Sequence, residues 1–174
     1  MRRVAVTGLG CLSPVGHSLE ESWQNTYMAK SGVDKISLFN PEKLSVQIAA
    51  EVKNFDPSKH MSEKDIKKTT RFIQFAVSAS HEALYNSGLD LDKITKENFG
   101  YSIGVGIGAI DFVDKMAVTR HEKGPRRVSP FFIPSVITNM APGLVSMAHK
   151  LKGPNLCSAT ACTSSTHAIG EAYL

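Results

Sequence analysis

The chain has 174 residues, 42% hydrophobic and 21% charged, which is the usage of an ordinary globular domain rather than of a disordered or low-complexity segment. No apolar run approaches the roughly 20 residues of a membrane span. Three cysteines (Cys11, Cys157, Cys162) are too few and too unevenly spaced for a disulfide framework or a zinc site, so a reducing compartment is expected. The formal net charge of +4 permits an acidic partner without requiring one.

Met1-Arg2-Arg3 followed by Val4-Ala5-Val6 has the outline of a signal peptide, but the apolar run stops at Thr7-Gly8, too short for an h-region. Arg3–Thr7 therefore reads as a buried first strand, ended by Gly8-Leu9-Gly10. After Ser13-Pro14-Val15-Gly16 a helix is expected from a Ser18 cap, with Leu19, Trp23 and Tyr27 along one face. Val46–Val52 reads as an extended segment. Ser62-Glu63-Lys64-Asp65 has the form of a helix cap and opens what reads as the longest helix, to about Asn86, with apolar Ile66, Phe72, Ile73, Ala76, Val77, Ala83 and Leu84 at helical spacing. Tyr101–Ile107 is strand-like, Asp114–Arg127 reads as a polar loop, and Ile133 to about His149 reads as a helix. Asn155–Ala161 is a short strand feeding a last helix from Ser165 to Leu174. Strands separated by helical crossovers define an α/β domain with a mainly parallel sheet. Gly104-Val105-Gly106-Ile107-Gly108 comes after a strand, but its spacing departs from the dinucleotide fingerprint and no acidic residue follows at the required distance. These glycines read as sites of close backbone packing, and nucleotide binding is rejected.

Thr160-Ala161-Cys162-Thr163-Ser164-Ser165 is the most informative stretch. A cysteine between a strand and a helix lies beside backbone N–H groups without intrahelical partners and at the positive end of the helix dipole. Such a position favours an anionic sulfur nucleophile. A free cysteine can equally be a small buried hydrophobe, and position alone leaves both readings open.

The motifs in order are Val4-Ala5-Val6-Thr7-Gly8-Leu9-Gly10, Ser13-Pro14-Val15-Gly16, Phe72-Ile73-Gln74, Gly106-Ile107-Gly108 and Gly124-Pro125-Arg126-Arg127. Ser129-Pro130-Phe131-Phe132-Ile133-Pro134-Ser135, Asn139-Met140 and Thr160-Ala161-Cys162-Thr163-Ser164 come after them. Together, from Met1 to Leu174, they resemble the N-terminal part of the β-ketoacyl acyl-carrier-protein synthases, specifically the type II elongation enzymes of fatty acid synthesis. The resemblance implies a thiolase-like fold, of which residues 1–174 would form the N-terminal half of a five-layered α/β/α/β/α sandwich. It implies a decarboxylative Claisen condensation: the cysteine takes an acyl chain as a thioester, malonyl-carrier protein loses CO₂, and the carbanion attacks that thioester. No metal or dissociable cofactor is implied, since the substrates ride on the phosphopantetheine of acyl carrier protein.

Carried over residue by residue, Cys162 matches the acyl-accepting nucleophile, and its backbone N–H matches one oxyanion-hole donor. His167 invites a Cys/His pairing, but five residues along a helix place it roughly 140° around the axis, and it matches none of the family's catalytic histidines. Indirect support of the site, or packing, is the expected part for it. Ile107 matches the floor of the acyl pocket, and Phe132 and Ile133 match a segment reaching the neighbouring subunit's pocket in a homodimer; core packing demands the same residue types. Lys64, Lys67 and Lys68, on one face of the expected long helix, and Arg126-Arg127 match the carrier-docking patch. Positive charge at a helix N-terminus opposes the macrodipole, and an acidic partner accounts for it; the alternative is a solvated basic face. Nucleic acid is a weaker alternative, since aromatic interleaving and a recognition motif are absent.

Family members are more than twice this long, and their second half supplies two catalytic histidines, a lysine and a glycine-rich oxyanion segment. The expectation is therefore an incomplete N-terminal domain over residues 1–174, its C-terminal half absent and the polypeptide by itself inactive in condensation. A non-catalytic carrier-binding fragment or subunit is the alternative, and a thiolase or starter-unit synthase the runner-up among enzymes. Met1 leading straight into a strand favours a bacterial cytoplasmic protein, with an organellar one not excluded.

Overall fold

A computed structural model describes residues 3–174; Met1 and Arg2, read as the lead-in to the first strand, lie outside the described residues. The chain forms two compact units, one holding Val6–Asp56 and Ser78–Gly88, the other the remaining described residues. No described helix is long and apolar enough to cross a membrane.

In the smaller unit, Ser13 and Gly16 close a turn with reciprocal backbone bonds of 2.8 and 3.2 Å. Helix α1, Leu19–Tyr27, then starts at the expected cap: Ser18 Oγ accepts from the Glu21 N–H at 3.2 Å, and the Glu21 carboxylate accepts from the His17 N–H at 2.7 Å. The face that docks is polar. Ser22 is buried and its hydroxyl donates to Gly16 O, while Asn25 Nδ2 donates to Val15 O at 2.6 Å. The apolar face stays outside, with Trp23 65% and Tyr27 80% exposed. Glu82, on helix α3 (Arg71–Ser87), accepts from the N–H groups of Cys11 and Leu19, both at 2.8 Å, and Asn86 Nδ2 donates to Leu9 O at 2.8 Å. Strands β1, Val33–Lys35, and β2, Ile48–Ala50, pair antiparallel with Asp34 opposite Ala49. The Ser37 hydroxyl, with the Ser37 and Leu38 amides, donates to the Glu51 carboxylate and holds it below the usual carboxylate range.

The larger unit is built on a parallel pair, β3 (Tyr101–Gly104) and β4 (Asn155–Ser158), with Ile103 opposite Cys157. Helical crossovers separate the two strands, as parallel pairing requires. Helices α6 (Met140–His149) and α7 (Ser164–Tyr173) pack on this pair. Their buried Ala141, Val145 and Ala168, with Ile73 and Val77 of α3 and Val105, Ala109, Met116 and Leu151, form the core. Each large aliphatic side chain so buried contributes about 1.5–3 kcal/mol of transfer free energy. Tyr101 stacks on Phe99 at 6.1 Å, and burial pushes its phenol up to about 12.

Four expectations change. Arg3–Thr7 forms no strand; a strand needs a hydrogen-bonded neighbour, and β3 and β4 pair only with each other among the described residues, leaving Val4 60% and Val6 79% exposed. The expected long helix is two: α2, Glu63–Ile66, capped by Ser62 as read, then α3. At the break, Thr69 Oγ1 donates to Asp65 O, and the buried Gln74 amide donates to Ile66 O and Thr69 O, satisfying carbonyls a continuous helix would have used. The expected polar loop is helix α4, Ile110–Lys123, burying Met116 and ended by Gly124 at φ 85°. The expected helix from Ile133 is also two, α5 (Phe132–Val136) and α6. Pro142 lies in the first turn of α6, where its missing N–H costs nothing; deeper in one helix its ring would meet the carbonyl of Thr138.

Candidate active site

Strand β4 ends at Ser158, and the chain turns at Ala161. Ala161 adopts φ 54°, the left-handed region that a residue with a Cβ enters at a cost of about 1–2 kcal/mol. A 3₁₀ turn, Ala161–Thr163, leads directly into the ten-residue helix α7. Hydrogen bonds hold this elbow. The Thr160 N–H donates to Ser164 Oγ at 2.8 Å, Thr163 Oγ1 donates to Thr160 O at 2.8 Å, and Ser164 Oγ donates to Ala161 O at 2.6 Å. At about 1 kcal/mol net each, they offset the strain. Ser164 is 2% exposed because α7 presses its first turn onto β3 at Gly104.

Cys162 stands on the outside of this turn and is exposed. The reading of it as a small buried hydrophobe fails; a side chain placed for packing would point inward. Its backbone N–H has no acceptor among the described residues, so sulfur and free amide are offered side by side at a helix N-terminus. An electrophilic carbonyl can be attacked there while its oxygen collects a backbone hydrogen bond.

The next loop is set by the same elbow. The Val105 N–H donates to Ser158 O at 2.9 Å, and a Cβ on Gly106 would sit 3.6 Å from Ala161 O. Gly108, at φ 79°, lies against Val136 O at the end of α5 and near the Phe72 ring. Ile107 thus lies in the chain between a residue facing the elbow and one facing α5, and it is 74% exposed. On α5, Phe132 is half-buried with its ring 6.2 Å from Phe112, while Ile133 is 58% exposed. Neither Ile107 nor Ile133 is a core residue.

The basic residues lie differently from the expectation. Lys64 is in α2, Lys67 caps its C-terminus, and Lys68 sits in the break before α3. Lys64 is the second residue of this four-residue helix, while Lys67 and Lys68 follow its C-terminal end, where positive charge agrees with the dipole. Lys67 Nζ lies 3.8 Å from Glu63. Lys68 Nζ lies 4.8 Å above the Phe131 ring, and its carbonyl accepts from Ser135 Oγ at 2.9 Å. The lysine group is thereby tied to the segment carrying Phe132 and Ile133. Arg126 and Arg127 stand exposed on a 3₁₀ turn after α4; they and Lys64 form no salt bridge among the described residues.

His167 forms no hydrogen bond with the cysteine among the described residues. Its Nδ1 lies 2.9 Å from Thr160 Oγ1. Thr160, Ser164 and Gln74 carry structural work that sequence reading missed. The density of Ser and Thr from Thr160 to Thr166 was the available signal, because short hydroxyl side chains compete for local backbone bonds.

A parallel strand pair under helices, with an exposed cysteine on a strand-to-helix elbow, places the molecule among thiolase-like α/β folds. A β-ketoacyl synthase from Burkholderia phymatum matches it with a TM-score of 0.83 at 25% identity, over 99% of this chain and 43% of that one. A ketosynthase of a type II polyketide synthase, solved in complex with its acyl-carrier protein, matches with a TM-score of 0.78 at 19% identity, over 97% of this chain and 44% of that one. Residues 1–174 match the family model of the β-ketoacyl synthase N-terminal domain, and the chain belongs to that family. In sequence, it is 44% identical over 171 residues to a protein of Coxiella burnetii named 3-oxoacyl-acyl-carrier-protein synthase 2, covering 98% of this chain and 41% of that protein. The chain spans less than half the length of the curated relatives it matches.

Proposed function

We propose that this chain carries the acyl-accepting part of a β-ketoacyl acyl-carrier-protein synthase of fatty acid elongation, with Cys162 as its nucleophile. Cys162 Sγ attacks the thioester carbonyl of a carrier-bound acyl chain. The Cys162 N–H receives the developing oxyanion, the bond to the pantetheine sulfur breaks, and the carrier leaves as its free thiol. The acyl chain then lies along Ile107, with Phe132 and Ile133 reaching toward the pocket of a second subunit in a homodimer. Lys64, Lys67, Lys68, Arg126 and Arg127 meet the acidic carrier. The reading calls for no metal or dissociable cofactor and for a cytoplasmic protein. Decarboxylation of malonyl-carrier protein and carbon–carbon bond formation draw on groups beyond these 174 residues.

The observation that carries this reading is the left-handed turn at Ala161, which leaves Cys162 exposed beside an unoccupied N–H at the start of α7. The 44% identity to a protein named for this activity supports it. The test is incubation of the 174-residue chain with hexanoyl-loaded acyl carrier protein, followed by intact mass and peptide mapping. One hexanoyl group on Cys162, absent from Cys162→Ala, is the expected outcome. Label on Cys11 or Cys157, or none at all, refutes the reading.

A further inference from the structure

We infer that His167 is a positioning residue for Cys162, acting through Thr160; the inference rests on the reading of Cys162 as acyl acceptor. Every polar atom of Thr160 is tied to a residue on the C-terminal side of the cysteine. Its N–H donates to Ser164 Oγ, its carbonyl accepts from Thr163 Oγ1, and its hydroxyl lies 2.9 Å from His167 Nδ1. Ala161 and Cys162 are the residues enclosed by these bonds. Two of the three close within the turn itself; the bond to His167 alone reaches into the body of α7.

Proton accounting orders the cluster. The Thr163 hydroxyl has one hydrogen, and Thr160 O at 2.8 Å is the nearer acceptor than Thr160 Oγ1 at 3.2 Å. The Thr160 hydroxyl is then free to pair with His167 Nδ1, the ring tautomer setting which of the two donates, and in either direction Nδ1 is engaged by Thr160. With Nδ1 occupied, that nitrogen cannot take a proton from the cysteine. His167 instead fixes the rotamer of Thr160, hence the left-handed Ala161, hence the direction of the Cys162 N–H and Sγ. A donor aimed at an oxyanion works only when held in place before the reaction. Thr160 and His167 are both exposed, so their removal leaves the core intact.

The experiment compares His167→Ala, His167→Asn, Thr160→Val and the double variant Thr160→Val/His167→Ala in the full chain. Two rates are read at Cys162: acylation by the small thioester hexanoyl-N-acetylcysteamine, and alkylation by iodoacetamide. Alkylation of Cys11 and Cys157 in the same sample controls for general loosening. Each single removal should slow both Cys162 rates about fivefold, the equivalent of one net hydrogen bond of about 1 kcal/mol. The double variant should be no slower than either single one. His167→Asn, whose amide can occupy the Nδ1 position, should restore the rates to within about twofold. Unchanged Cys162 rates, additive losses, failure of Asn to rescue, or equal changes at all three cysteines would overturn the inference. If the unsubstituted chain takes no acyl group, the functional reading fails, while alkylation, which needs no acyl donor, still decides the positioning.

Discussion

The run Gly104-Val105-Gly106-Ile107-Gly108 offers a graded test of how the elbow is held against the sheet. A Cβ built on Gly104 would lie 2.2 Å from the Ser164 carbonyl carbon and 2.4 Å from both Ser164 O and Ser165 N, all backbone atoms of the first turn of α7. Ordinary contact begins at 3.4 Å, so Gly104→Ala requires α7 to retreat from β3, carrying Cys162 with it. Overpacking of this kind costs about 1–3 kcal/mol. Separations this short from backbone atoms put the loss at the upper end of that range. The expected loss of about 3 kcal/mol lowers Tm by about 10 °C in a chain of this size. Gly108→Ala forces a Cβ to φ 79° and should cost about 1–2 kcal/mol. Gly106→Ala meets only an ordinary contact at 3.6 Å and should stay within about 0.5 kcal/mol of the parent. Thermal melts of the three variants give the order, and Cys162 acylation should fall most in Gly104→Ala. If Gly106→Ala proves as damaging as Gly104→Ala, or Gly104→Ala keeps both its Tm and its Cys162 reactivity, the account of α7 pressed onto β3 is wrong.

The Tyr101 hydroxyl is buried without a hydrogen-bond partner among the described residues, so Tyr101→Phe should raise stability by about 1 kcal/mol in denaturant melts. Its phenol, raised to about 12, holds its proton more tightly in the folded chain than in the unfolded one. The stability contributed by that site is present below pH 10 and is lost as pH rises toward 12; the Phe variant should lack this part of the alkaline decline, and identical curves would refute the assignment. Lys64→Glu, Lys67→Glu and Arg126→Glu together should weaken binding of acyl carrier protein by at least tenfold at low salt, with acylation by the small thioester unchanged. Equal carrier affinity in surface-plasmon titrations would remove these residues from the docking face.

What was legible in the sequence is what short-range physics decides. The caps at Ser18 and Ser62 formed as read because the hydroxyl and its target N–H lie three residues apart. The cysteine's place between strand and helix was legible for the same reason. Helix α4 was missed because its apolar stripe is weak. Its charge order, Asp111 in the first turn and Arg120, His121 and Lys123 in the last, was the local signal, since it complements the helix dipole.

Tertiary structure decided what depends on neighbours distant in the chain. Periodicity marked Leu19, Trp23 and Tyr27 as one face of α1 but not whether that face docks, and Ser22 and Asn25 took the contact instead. Val4 and Val6 have the residue types of a strand, yet a strand exists only beside another. Sequence placed the three lysines on one face of a long helix; Gln74, reaching back to Ile66 O, is part of why Lys67 and Lys68 instead follow the end of a short one. The cysteine's identity and its position before α7 come from sequence alone. Its exposure, its free N–H and the turn of His167 toward Thr160 do not. Those arise from one residue held at positive φ, a conformation that local propensity disfavours and that the bonds around it sustain.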